Sequence, residues 1–354
     1  MKYSLSRYAL RHHVDLTFYA VNLFLAAVNI VLAFTAGDLF AGGSMGEIAT
    51  RAAGSEPVGR EGGTAPGFSA ARHLLVAFLF IAACGVPSAL SLLSDVAVSK
   101  ARRGLPGRIA AFFRTFYVHA FYGPYFTEII VLSQAVWQGA SLDALVAKLE
   151  AVVFGFQPAV AFSGALSHLP VVNELFFFGY FSYYLIITTG FWVMFFRGFD
   201  HEARRAVFIA TTSFAMLYVW YVFVPVHGPK YFIEALNRAW YSEFDGYLFV
   251  PMMKGVFANM NLGGAALPSS HVAIGLMATL LIRKHLPRLF WVYLALFLLL
   301  CASTIYVYAH YAVDLIAGLL VVPPLFWVSQ RIYARVAELR PLQSARGSSG
   351  ARRR

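Results

Sequence analysis

A chain of 354 residues that is 59% hydrophobic and 13% charged, with mean hydropathy +0.65, is not an ordinary soluble domain, where about a quarter of the residues carry charge. A net charge of +11 would point to nucleic acid in a soluble protein, but here the arginines fall in short loops and the tail, as topology signals do. The two cysteines, Cys84 and Cys301, lie in apolar runs and form neither a disulfide framework nor a metal-ligand spacing.

Lys2, Arg7 and Arg11 make a basic cytoplasmic start, and a first membrane helix is expected over about 15–36, too long for a cleavable signal peptide. Residues 37–71, rich in Gly, Ala and Ser, read as an outside loop. A second helix follows over about 73–97, with Pro87 tolerated as a kink, and Lys100, Arg102, Arg103 and Arg108 mark the return to the cytoplasm. The third, about 109–137, carries ionisable residues within a membrane segment. Of these, Arg114 reads as snorkelling to the near surface, and Glu128 is a candidate for substrate contact. Residues 141–156 place Leu142, Leu145, Leu149 and Val152 on one side, suggesting a helix lying on the outer surface. Helices four and five are expected over 172–196 and 206–226, separated by the basic loop of Arg197, Arg204 and Arg205. The long outer segment 231–267, with Trp240, Tyr241, Met252, Met253 and Phe257, reads as a lid or lipid-binding element. Three more helices, over 269–284, 289–309 and 311–330, lead into an arginine-rich cytoplasmic tail. The expected fold is all-α, a polytopic membrane helix bundle of about eight spans.

Three polar clusters interrupt this apolar sequence, each at a helix mouth: Pro225 to Lys230, Pro268 to His271, and Ser303 to Asp314. Alternation of the spans puts every basic loop on one side and all three clusters on the other. His310 and Asp314 are spaced i, i+4 and share a helix face. A carboxylate beside an imidazole fixes its tautomer and stabilises its charged form, as a histidine nucleophile or base requires. Ser269 or Ser270 caps the helix after Pro268, leaving free N–H groups that favour an anion. His271 stands in that first turn, placed to give a proton to a leaving group, and Lys230 adds positive charge. Alone, His271 could be a buried interhelical histidine, but the four groups together point to phosphoryl transfer through a phosphohistidine. Neither serine has an acid–base partner beside it in sequence, so both read as cap and phosphate donors. The sequence shows no metal-binding cluster, and this chemistry needs no metal or other cofactor.

Pro268-Ser269-Ser270-His271 resembles the Pro-Ser-Gly-His signature of the type 2 phosphatidic acid phosphatase superfamily, and Ser303, His310 and Asp314 match its Ser-Arg-x5-His-x3-Asp signature. The resemblance implies a six-helix catalytic core, His310 as nucleophile, Asp314 as its orienting partner and His271 as general acid. Lys230 stands for the lysine of the first signature, Lys-x6-Arg-Pro, although Asn237 holds the arginine position and Arg238 lies one place late. Thr304 replaces the arginine of the third signature. That run, with residues 170–184 and 224–231, is similar to the inositol phosphorylceramide synthase branch. The expected organisation is a two-helix segment over 1–108, a catalytic domain over 109–333 and a basic tail over 334–354. The site residues implied are His310, Asp314 and His271 for catalysis, and Lys230, Ser269, Ser270 and Arg238 for phosphate. The expected partners are a phospholipid, an acceptor lipid hydroxyl and the bilayer, in a bacterial inner membrane with both termini cytoplasmic and the site outside. The alternatives are a hydrolase of lipid phosphates (phosphatidate or an isoprenyl pyrophosphate), and a transporter or structural membrane protein, broken helices near the midplane speaking for transport.

Overall fold

The structure is a computed structural model and describes residues 13–35, 70–90, 105–137, 139–259 and 263–338. The basic start, residues 37–69 of the expected outer loop, the end of the expected second helix beyond 90, the loop around Lys100–Arg103 and the tail beyond 338 lie outside the described residues; residues 70 and 71 belong to the second helix and not to the loop. Within them the chain is entirely helical, without strands. In chain order the helices are α1 (His13–Thr35), α2 (Ala70–Ala83), α3 (Leu105–Phe116), α4 (Tyr122–Trp137), α5 (Asp143–Phe154), α6 (Pro158–Leu166), α7 (Pro170–Ile186) and α8 (Thr189–Phe196). Then come α9 (Asp200–Phe223), α10 (Pro229–Phe232), α11 (Glu234–Ser242), α12 (Phe249–Asn259), α13 (Ser270–Ile282), α14 (Pro287–Tyr306) and α15 (Ala312–Glu338).

Five of these segments are long and apolar enough to cross a bilayer, and seven are if each of two bent helix pairs counts as one span. The protein is a polytopic helical membrane protein, but three of the eight expected spans differ in form, the 172–196 span being the bent pair α7 and α8. The expected 109–137 helix is interrupted by a 3-10 turn over Tyr117–Phe121, which splits it into α3 and α4. The expected 269–284 helix is the 13-residue α13, about 20 Å long at the α-helical rise and short of a full bilayer. The bent pairs are α5 with α6, at 75°, and α7 with α8, at 44°. Their breaks fall at 155–157 and 187–188, away from the three polar clusters, so the broken-helix argument for transport gains nothing from them.

Helix α9 is the hub. Most of it is buried, and it packs against α1, α4, α13 and α15, whereas α14 and α15 turn more of their surface outward to lipid. The N-terminal hairpin of α1 and α2 is fastened to this core by polar contacts, which are costly to leave unpaired at membrane depth. Asp15 receives both Arg114 nitrogens and the Tyr117 hydroxyl. Asn22 donates to the Tyr125 hydroxyl, and Glu128 accepts from Asn29 and Arg72, each at 3.0 Å. These contacts correct two expectations from sequence. Arg114, its side chain 3% exposed, is locked in a buried ion pair and does not snorkel to the surface. Glu128 is spent on holding α1 and α2, so it is a packing residue and not a substrate contact.

Candidate active site

Four chain segments meet at the mouth of the bundle. Proline stops regular hydrogen bonding at 225, 229 and 268, so these segments satisfy their backbone groups against one another. Leu142 N–H donates to Pro225 O at 2.7 Å, Ala266 N–H to Val226 O at 2.9 Å, Lys230 N–H to Tyr308 O at 2.9 Å and Ser269 N–H to Asp314 O at 3.0 Å. Gly228 has φ +92°, and a Cβ there would stand 2.5 Å from Ala309 O, so only glycine allows this approach. The loop after α14 closes on itself, Ala309 and His310 N–H both donating to Thr304 O at 3.1 Å.

The knot places His310, only 3% exposed, with each ring nitrogen facing a different partner set. Nδ1 lies 3.0 Å from Ala266 O and 3.5 Å from Asp314 Oδ2. Both neighbours are acceptors, so Nδ1 carries the ring proton and Nε2 keeps its lone pair. Nε2 in turn lies 3.2 Å from Ser269 Oγ and 3.1 Å from His271 Nδ1, both able to donate to it. The expected His310–Asp314 pairing is therefore present, but the backbone carbonyl of Ala266 is the closer partner. Asp314 Oδ2 is fixed by the Tyr311 N–H at 2.9 Å.

Ser269 caps α13, its Oγ accepting from Val272 N–H at 3.4 Å. The N–H groups of Ser270 and His271 open that helix with no i−4 carbonyl to bond, the arrangement that favours an anion. Ser269 Oγ, His310 and Asp314 also line up as a hydroxyl–imidazole–carboxylate row. The sequence supplied no base for Ser269, and the fold does. His271 is boxed by the rings of Tyr183 and Tyr180, centroids at 4.3 and 4.9 Å. Its contact with His310 leaves no room for a phosphorus atom between the two nitrogens, so the pair must part when a substrate binds.

Lys230 is wholly buried, but its ammonium faces aromatic rings: Trp240 at 3.7 Å, Phe257 at 4.2 Å, and Tyr231 and Tyr241 each at 5.0 Å. Burial with no counter-charge lowers its pKa to about 7. The cage adjoins the histidine pair, since Phe257 packs at a tilt against Tyr180, which packs at a tilt against His271. Arg238 is not brought to the cluster. It sits on the outer face of α11, 69% exposed, and pairs with Glu234 one turn back, so the expected phosphate contact is absent from this arrangement. Thr304 turns its hydroxyl into its own helix, onto Cys301 O at 2.8 Å. Among the described residues no group of three or more His, Cys, Asp or Glu side chains is placed to hold a metal ion.

Two sets of packing contacts around the site escape a reading along the chain. Asp143, fully buried at the start of α5, accepts from His227 N–H at 2.7 Å, Gly228 N–H at 2.9 Å and the Tyr311 hydroxyl at 3.2 Å. One carboxylate thus joins the segment bearing Lys230 to the one bearing His310. The outer segment expected as a lid or lipid-binding element is fastened to the bundle. Glu174 of α7 accepts the N–H groups of Leu248 and Phe249 at 2.9 and 2.8 Å at the start of α12, and Asn173 bonds Asp245 O and the Tyr306 hydroxyl.

A profile of the PAP2 superfamily, the type 2 phosphatidic acid phosphatases, matches residues 145–328, more than half of the chain. The chain belongs to the PAP2 superfamily. Comparisons with curated proteins and with solved structures gave no match. The match to the PAP2 superfamily runs from α5 into α15 and so includes all three polar clusters, while α1 to α4 precede it. Membership makes the protein a membrane enzyme of the phosphatase and phosphotransferase type, acting on lipid phosphates.

Proposed function

We propose that this enzyme transfers a phosphate-bearing headgroup from a phospholipid to a lipid hydroxyl, as in the inositol phosphorylceramide synthase branch. His310 Nε2 attacks phosphorus and forms the P–N bond while the P–O bond to the diacylglycerol oxygen breaks. That oxygen takes the Nδ1 proton of His271. The acceptor hydroxyl then attacks the phosphohistidine, gives its proton back to His271 and releases Nε2 as the P–N bond breaks. Asp314 and Ala266 O hold the Nδ1 proton throughout, and Asp314 offsets the positive charge that develops on the ring.

The observation that carries the choice of transfer is the scarcity of positive charge. Thr304 stands where the family signature has arginine, its side chain turned away, and Arg238 lies outside the cluster. A terminal phosphomonoester carries close to two negative charges near neutral pH, whereas a headgroup-bearing diester carries one. Lys230 and the N–H groups opening α13 suit the single charge better. The aromatic lid of α11 and α12 supports the same reading, because transfer competes with hydrolysis only where water is kept from the phosphohistidine.

Purified enzyme given headgroup-labelled phosphatidylinositol should release label slowly into water and should divert most of it to a lipid product when ceramide or another long-chain alcohol is added. Diesters should be turned over faster than phosphatidate. Rapid release of inorganic phosphate from phosphatidate, unchanged by any acceptor, would make the enzyme a plain phosphatase.

The sidedness inferred from the charge pattern, with the cluster outside and both termini inside, is tested separately. In a background with Cys84 and Cys301 replaced by alanine, Ser242→Cys on the exposed face of α11 should react with a membrane-impermeant maleimide in intact cells. Gly350→Cys in the tail should react only after lysis. The reverse pattern would invert the topology.

A further inference from the structure

We propose that a lateral groove between α9 and α15 holds a hydrocarbon chain of the reacting lipid while its phosphate lies at His310. The groove encloses about 600 Å³ and is lined by Met216 and Trp220 of α9, Leu267 and Pro268, and Ala317 and Leu320 of α15 among others, with no charged side chain. That volume lies within the range of about 300–1,000 Å³ found for small-molecule sites. Trp220 and Leu320 at its rim are 50% and 72% exposed on membrane-spanning helices, so the groove is continuous with the lipid around the bundle.

Its inner end makes it more than a place for bulk lipid. Pro268 forms part of the wall, the next residue is Ser269, and Ser269 Oγ is 3.2 Å from the nitrogen assigned to attack phosphorus. Small residues on α15 create this proximity. At Gly318 a Cβ would stand 2.8 Å from Ser269 O, so α15 presses directly on the start of α13, and Ala317 beside it leaves space in place of a side chain. From Ala317 to Leu325 the groove runs about 12 Å along α15, close to the roughly 15 Å of one leaflet's hydrocarbon layer. The opposite approach is occupied, since Tyr180 and Tyr183 pack at a tilt against His271 and Trp240 and Phe257 close behind them. The inference rests on the lipid-phosphate chemistry of the proposed function and is independent of whether transfer or hydrolysis follows.

The test measures chain-length selectivity. Phosphatidate and phosphatidylinositol, each with dioleoyl and with dihexanoyl chains, are assayed in mixed micelles, so the ratio can be read on whichever headgroup is turned over. Ala317→Phe should lower the long-chain to short-chain ratio of kcat/KM by about tenfold, the scale of discrimination in an apolar pocket. Leu319→Phe, on the lipid-facing side of the same helix, should leave that ratio within about twofold. Should Ala317→Phe fail to fold, the wild-type enzyme decides: a phospholipid with a diazirine in its acyl chain should crosslink to the peptides carrying 216–220 and 317–325. An unchanged ratio in a folded Ala317→Phe enzyme, or crosslinks confined to other helices, would overturn the proposal and leave the groove to bulk lipid. Loss of acceptor-dependent transfer with the chain-length shift intact would count against the proposed function alone.

Discussion

His310→Ala should abolish turnover, by at least about 10⁴-fold if the ring is the nucleophile and not an aid to one. Labelled phosphoenzyme should disappear with it. The contacts of Nε2 sharpen the test, because Ser269 Oγ stands 3.2 Å away and could be a nucleophile with His310 as its base. Loss of activity alone does not separate these two routes, but the chemistry of the trapped intermediate does. A phosphohistidine is lost in acid and kept in alkali, and a phosphoserine behaves in the opposite way. The wild-type adduct should be acid-labile, and Ser269→Ala should still form it, more slowly, because only a helix cap and a phosphate donor are removed. Ser269 Oγ also accepts the Val272 N–H at 3.4 Å, the contact of a helix cap, and keeps a second lone pair, so the trapped adduct decides between the two routes. An acid-stable adduct that disappears in Ser269→Ala would move the nucleophile from the ring to the hydroxyl.

How much of this site was legible in sequence follows from the distance over which each contact acts. His310 lies in the loop just before α15 and Asp314 in the first turn of that helix, four residues on, and Ser269 to His271 open α13, so local spacing brought both groups into view although His310 is not itself helical. The side-by-side histidines were expected because a topology argument put both mouths on one side and the family resemblance gave both a role in one site. Asp143 could not be found that way. Its partners are 84, 85 and 168 residues along the chain, and in its own segment it resembles any first-turn acid of a surface helix. Ala266 was invisible because it acts through its carbonyl, a group every residue has. Arg238 shows the opposite failure, a near match to a signature whose helix turns it to solvent beside Glu234. The split of 109–137 into α3 and α4 left no mark on hydropathy, which averages over a single irregular turn. Lys230 was singled out from its sequence position, but that its ammonium faces four aromatic rings depends on the packing of α11 and α12.

Asp314→Asn should slow the enzyme by only about 10²-fold, less than the roughly 10⁴-fold seen when an analogous change flips a catalytic histidine's tautomer. The reason lies in what else holds the proton on Nδ1. Ala266 O is 3.0 Å from that nitrogen and Asp314 Oδ2 is 3.5 Å away, so the carbonyl alone keeps the proton there. The Tyr311 N–H, 2.9 Å from Oδ2, also dictates how the asparagine sits, because it needs an acceptor and would reject the amide nitrogen. The amide oxygen therefore takes the Oδ2 position, and the amide nitrogen takes that of Oδ1, which has no hydrogen-bond partner. Tautomer and ring orientation survive, and what is lost is the negative charge that balances the ring once Nε2 bonds to phosphorus. The loss should therefore fall on kcat, with KM little changed, and the phosphoenzyme should still form at a reduced rate. A fall of about 10⁴-fold or more would mean that the asparagine had reversed the tautomer, and that the Ala266 carbonyl does not hold the proton.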